Sequence, residues 1–189
     1  SVLLMKAGAL TFGVTYLLAG LLLEHLNCAL TVHNGGVLVA GILYLVSAST
    51  AIRTRRREDI RKPFLVLLPL IYLCCVAVVC LLWWGAITDV IPNFYIEGQG
   101  FTPLRGVVLT VAVVHLFIAS FLLMILHIRS GSDFLLWYGT GLLVLGIGLA
   151  TVLAAPIPGS PLSWIGRAGQ HLGGVYMLIA VHRLVNTGT

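Results

Sequence analysis

Six runs of mostly apolar residues, each about 20 residues or longer, follow one another along the chain at approximately 4–25, 29–52, 63–86, 103–128, 134–155 and 162–184. A helix rises about 1.5 Å per residue and the hydrocarbon core of a bilayer is about 30 Å thick, so each run is long enough to cross it. Inside lipid every backbone N–H and C=O must find its partner within the segment, which leaves the α-helix as the conformation for such a run. The interruptions are short, so the expectation is one all-α integral membrane domain over residues 1–189, a bundle of six transmembrane helices. Composition agrees: 9% of the residues are charged, against about a quarter in an ordinary soluble domain. The first run exceeds a signal-peptide core and lacks a small-residue cleavage site, so it reads as a retained helix.

Short cytoplasmic loops are enriched in Lys and Arg. Lys6, Arg53, Arg55, Arg56, Arg57, Arg61, Lys62, Arg129 and Arg183 fall at alternate helix ends, which is nine of the eleven cations on one side. Both termini are therefore expected on the cytoplasmic side. Glu24, Asp89 and Glu97 fall on the other side, with Arg105 and Arg167 as the two exceptions. Topology uses most of the net charge of +5, so no nucleic-acid partner is needed to account for it. The run TRRREDIRK at 54–62 reads as a solvated cytoplasmic loop that fixes the orientation.

Cys28, Cys74, Cys75 and Cys80 have no C-x-x-C spacing and read as small core residues. No G-x-S-x-G, H-E-x-x-H or paired acidic motif is present, so no catalytic role is expected. No repeat relates residues 1–95 to 96–189, and no Asp or Glu lies deep in a run, which counts against a transporter. Gly139, Gly141, Gly146 and Gly148 in the fifth run, with Gly166, Gly169, Gly173 and Gly174 in the sixth, predict a close-packed hairpin of the last two helices. Trp83, Trp84, Trp137, Trp164, Tyr95 and Tyr138 lie near helix ends and read as an interfacial aromatic belt.

Ionisable side chains within a span are costly and ask for partners. His115 and His171 enter their helices from the outer side to similar depths, so they could face one another and ligate a b-type haem or a metal ion. Taken alone, each reads first as a neutral core histidine bonded to a carbonyl or hydroxyl, and a cofactor ligand or a proton sensor is the alternative. His127 and His182 form a second pair near the cytoplasmic ends, while His25 and His33 flank the outer turn after the first helix. A two-layer bis-histidine arrangement could be drawn from His33, His115, His127 and His182. Arg167, Gln170 and His171 share one helix face at i, i+3 and i+4.

The remaining polar cluster is NFYIEGQGFTPLR at 93–105. Gly98 and Gly100 permit a tight re-entry of the chain, Pro103 is tolerated in the first turn of a helix, and Thr102 stands where it can cap that helix. Glu97 and Arg105 are placed to pair across the outer rim near Arg167. An outer pocket of Glu97, Arg105, Arg167, Gln170 and His171 is the candidate ligand site, and a polar lid closing the bundle is the alternative.

The stretch NFYIEGQGFTPLRGVVLTVAVVHLFIASFLLM, with LVLGIGLATVLAAPIPGSPLSWIGRAGQHLGGVYMLIAVHRLV, resembles the last helices of the MASE3 family of membrane-associated sensor domains; the likeness covers roughly residues 63–185. The resemblance implies a non-catalytic input module in the plasma membrane of a bacterium or archaeon. A PAS and histidine-kinase effector, or a cyclic-dinucleotide enzyme, would follow in the same polypeptide, and the assembly would be a homodimer. No cofactor is expected on this reading; a haem-b cytochrome or haem-based redox sensor is the alternative.

Overall fold

The computed structural model describes residues 2–22, 25–53, 61–155 and 157–187, with side chains at 3–22, 25–53, 69–155 and 157–185. Six helices follow in chain order: α1 (Val2–Leu21), α2 (Leu26–Arg53), α3 (Arg61–Ile87), α4 (Pro103–Ser130), α5 (Asp133–Ala154) and α6 (Pro161–Thr187). Between α3 and α4 lies a small antiparallel hairpin of β1 (Tyr95–Ile96) and β2 (Gly100–Phe101), in which Tyr95 pairs with Phe101 and Ile96 with Gly100. Helices α1 to α5 are long and apolar enough to cross a bilayer, so the chain is a multi-pass membrane protein. At 27 residues α6 has the length, but Ser163, Arg167, Gln170 and His171 lower its hydropathy, and it falls short of the other five. Glu24 and residues 54–60 of the charged run lie outside the described residues.

Apolar periodicity sets the core. Leu109, Ala112, Leu116, Ala119 and Leu123 recur at three- and four-residue intervals on α4 and are fully buried. They pack with Val37, Ala40, Tyr44 and Ala48 of α2 and with Leu142, Leu145 and Leu149 of α5. Helix α2 is central, packing on α1, α3 and α4, while α5 bridges α4 and α6. Ser120 donates to the Gly139 carbonyl at 2.7 Å, a direct polar tie between α4 and α5. Tyr138 does not belong to an interfacial belt: it is buried in this core, and its hydroxyl donates to the Met5 carbonyl at 3.2 Å. Trp83, Trp84 and Trp164 are exposed, whereas Trp137 stacks on Tyr176.

The expected α5–α6 hairpin is present, and glycine is what permits it. A Cβ on Gly148 would stand 2.6 Å from the Gly166 carbonyl oxygen, and one on Gly173 would stand 2.8 Å from that of Gly141. Backbones meet along this seam, and α5 is the one helix on which α6 packs extensively.

Local chemistry ends the helices. Gly131 follows α4 in the left-handed region at φ 68° and returns its N–H to the His127 carbonyl at 2.7 Å. His127 Nδ1 in turn reaches the Ser132 carbonyl at 2.9 Å, closing the α4–α5 turn. Pro103 occupies the first turn of α4, where its missing N–H costs nothing. Thr102 is the N-cap residue, but its hydroxyl donates to the Asn93 carbonyl at 2.8 Å and caps no helical N–H. The hairpin turn uses Gly98 and Gly100 at φ 79° and 89°, as the tight re-entry required. Asn27, in the first turn of α2, clamps this hairpin: its Oδ1 accepts from the Phe94 and Tyr95 amides at 2.8 and 3.1 Å, and its Nδ2 donates to Asn93 at 2.6 Å.

Candidate functional site: a groove between α1 and α6

Because α6 leans on α5 and α1 leans on α2 and α3, the two helices flank an opening that neither closes. The result is a groove of about 670 Å³, within the range of small-molecule sites. Its floor comes from Tyr44 of α2 with Tyr138 and Leu145 of α5; Phe12 and Gly13 lie on one wall, Gly174 and Leu178 on the other. Leu17 and Leu178 on its rim are 71% and 70% exposed, as suits side chains that face lipid. Lys6 and Val185 mark one end and Gln170 the other. Fifteen residues of α6 separate Gln170 from Val185, a length of roughly 22 Å at 1.5 Å per residue.

The Gln170 end is polar. The Tyr16 ring meets His171 edge-on at 5.1 Å and His33 at 5.2 Å between centroids, and Phe12 approaches His33 at 6.2 Å. Gln170 lies against His33. It is 2% exposed, and its Oε1, like Nδ1 of His33 and Nδ2 of the neighbouring Asn34, has no hydrogen-bond partner among the described residues. Buried polar atoms are ordinarily satisfied, and the Gln170 and His33 side chains stand close enough to bond one another. His171 Nδ1 lies 2.8 Å from the Arg167 carbonyl. A carbonyl only accepts, so Nδ1 carries the proton and Nε2 presents a lone pair in the neutral ring.

The five residues grouped on sequence grounds do not form one pocket. Gln170 and His171 line the groove. Arg167 reaches toward the start of α6, its guanidinium 5.2 Å from the Trp164 ring, and lies close enough to act electrostatically on Tyr16 and His33. Arg105 is 3% exposed, stacks 3.6 Å above the Phe101 ring and donates to the Val152 carbonyl at 3.3 Å, with Nε unpaired. Glu97 is exposed at the hairpin tip and lines a separate outer depression of about 640 Å³ with His25, Asn27 and Tyr95. It pairs with neither arginine among the described residues: Glu97 is exposed, while Arg105 and Arg167 make their contacts elsewhere. Arg105 acts instead as a tie between hairpin, α4 and α5.

Tyr16 is the site residue that sequence reasoning missed, and His33, expected only beside the outer turn or in a bis-histidine layer, joins it at the polar end. His33 was assigned to the outer turn; α2 begins at Leu26, so His33 stands two turns inside. The signal available was HNGG at 33–36, a polar pair beside two small residues in an apolar helix. His115 and His171 are not brought together. His115 packs beside Gly41 of α2 with Nδ1 2.6 Å from the Val111 carbonyl, while His171 meets α1. Among the described residues no group of three or more His, Cys, Asp or Glu is arranged to hold a metal ion. No family model matches the chain, and no curated protein and no solved structure matches it either.

Proposed function

We propose that the chain is a non-catalytic sensory input domain of six transmembrane helices, with both termini on the cytoplasmic side of a bacterial or archaeal plasma membrane. It binds a small ligand in the outer half of the α1–α6 groove and relays helix movement to a cytoplasmic effector in the same polypeptide, of the PAS and kinase or cyclic-dinucleotide type, within a homodimer. The observation that carries this reading is the groove: a largely apolar channel with Tyr44 and Tyr138 in its floor, ending at a polar cluster of Tyr16, His33, Gln170 and His171. The resemblance of residues 63–185 to MASE3 sensor domains points the same way, and the distribution of Lys and Arg supports the orientation.

The lever is α6. It carries one wall of the groove and ends beyond Arg183, on the side where an effector would follow. A ligand shifts the equilibrium between two α6 positions only by its difference in affinity for them, and about 1.4 kcal/mol of difference is a tenfold shift.

The test uses the polypeptide that carries this domain together with its effector. Gly13→Leu projects into the groove from a position where a Cβ meets nothing within 4 Å, and Gln170→Leu removes the amide at its polar end. Both are expected to change effector output at unchanged membrane levels. Wild-type output from both variants refutes the reading.

A further inference from the structure

We propose that the Lys6 half of the groove holds one acyl chain of an anionic phospholipid, with the headgroup phosphate seated at the Lys6 ammonium. This site lies at the opposite end of the groove from the polar cluster and does not depend on a ligand being taken there.

Shape and length specify the chain. A groove that opens sideways to lipid is filled by hydrocarbon, because lining atoms that face a void forfeit their dispersion contacts. The walls leave room for it: at Gly13 and Gly174, on facing helices, an added Cβ would meet nothing within 4 Å. Met5, Ala9, Phe134 and Val181 give it apolar contact. Ten residues of α1 separate Lys6 from Tyr16, roughly 15 Å at 1.5 Å per residue, and one leaflet contributes half of a hydrocarbon core about 30 Å thick. A chain whose head stands at Lys6 therefore ends near Tyr16, short of Gln170 and His171. The second chain of the same lipid stays in the bilayer, past the exposed rim of Leu17 and Leu178.

Charge specifies the head. Lys6 is exposed, and among the described residues that line the groove it is the one that carries a fixed charge. An ammonium offers three donors and no acceptor, so it takes a phosphate oxygen. The hydroxyl of Tyr138 binds the Met5 carbonyl, which sets the start of α5 beside Lys6. Arg129 stands across the α4–α5 turn from there, and Arg183 two residues before Val185 of the groove. Asp133, at the first turn of α5, is the described carboxylate at this end, and it does not line the groove. The surroundings of Lys6 are thus positive on balance. A zwitterionic lipid brings a phosphate too, but its own cation cancels the attraction to them.

The experiment follows lipid adducts on the delipidated full chain in a neutral detergent by native mass spectrometry, with phosphatidylglycerol, phosphatidylcholine of the same acyl chains, and oleate as probes. The first phosphatidylglycerol is expected to bind about fivefold more tightly than the first phosphatidylcholine, the worth of about one cation beside an anionic headgroup. Lys6→Gln should bring that ratio near one with phosphatidylcholine binding nearly unchanged, and Lys6→Arg should keep it. Arg129→Gln, at the same end but outside the groove, should keep it as well. Gly13→Leu, with wild-type helix content, should weaken the first adduct of both lipids. Equal affinities for the two lipids overturn the head assignment. A preference that falls with Arg129→Gln and not with Lys6→Gln overturns the place of the head in favour of a diffuse basic surface. Oleate bound more tightly than phosphatidylglycerol, and sensitive to Gly13→Leu, overturns the phospholipid in favour of a free fatty acid. A first adduct that Gly13→Leu leaves untouched overturns the site in the groove. The ligand reading of the polar end is tested separately, by effector output.

Discussion

Gly148→Ala adds one methyl group at the tightest point of the α5–α6 seam. Its Cβ would lie 2.6 Å from the Gly166 carbonyl oxygen, 2.8 Å from the Gln170 nitrogen and 3.0 Å from the Gly169 carbonyl carbon. All three neighbours are backbone, so none can swing aside as a side chain would. Favourable contact between heavy atoms begins near 3.5 Å, so the helices must part by roughly 0.9 Å at this level. Overpacking of this kind costs about 1–3 kcal/mol. Alanine regains up to about 1 kcal/mol of helix propensity over glycine, leaving a net loss of up to about 2 kcal/mol. Gly174→Ala isolates the propensity effect, because a Cβ there meets nothing within 4 Å. Thermal unfolding in one detergent should show Gly148→Ala melting up to about 8 °C below wild type, with Gly174→Ala at or above it. Because Gln170 follows Gly166 and Gly169 along α6, the same variant should also lower affinity for any ligand of the groove. Equal melting temperatures for the two variants would refute the claim that backbone contact sets the spacing of α5 and α6.

Asn27→Ala removes the acceptor for the Phe94 and Tyr95 amides, so hydrogen exchange at those two amides should quicken by about tenfold or more, at about 1 kcal/mol per net bond; unchanged protection would show that the hairpin holds itself. Ser120→Ala deletes the tie to the Gly139 carbonyl and should cost about 0.6 kcal/mol in detergent unfolding, the average for hydrogen bonds between membrane helices. Tyr138→Phe removes the bond to Met5 while keeping the ring, and a fall in stability of about 1 kcal/mol is expected; no change would mean that packing alone fixes α1 against α5. Gly98→Val places a β-branched residue at φ 79° and should destabilise the hairpin by about 1–2 kcal/mol, read as faster exchange at Gln99 and Thr102.

The helices were legible in the sequence because lipid imposes one rule on every span, and the long apolar runs obey it. The α5–α6 pairing was legible too, since Gly141, Gly148, Gly166 and Gly173 lie on facing helices joined by a short turn. What escaped is what periodicity does not encode. Strands of two residues carry no alternation. Tyr138 sits near a helix end like a belt residue, and only the approach of Met5, 133 positions away, makes it core. Asn27 finds its partners 66 to 68 residues away. The outer pocket divided because Glu97 and Arg105, close in sequence, stand on opposite sides of a turn, and His33 joined the site because α2 starts earlier than its apolar run.

The seam has a consequence for how the chain enters the membrane. On the six-span reading, α6 is the least apolar of the helices and carries Arg167, Gln170 and His171; an arginine at a helix centre costs about 2.5–3.5 kcal/mol to insert, and Arg167, nearer the end of α6, meets part of that cost. Helix α5, apolar and already translated, offers α6 a backbone ridge that lipid cannot fill as well. The two are then expected to leave the translocon as one preassembled hairpin, with α5 waiting at its lateral gate until α6 has emerged. Biogenesis, as much as the finished fold, would select for glycine at Gly148 and Gly166.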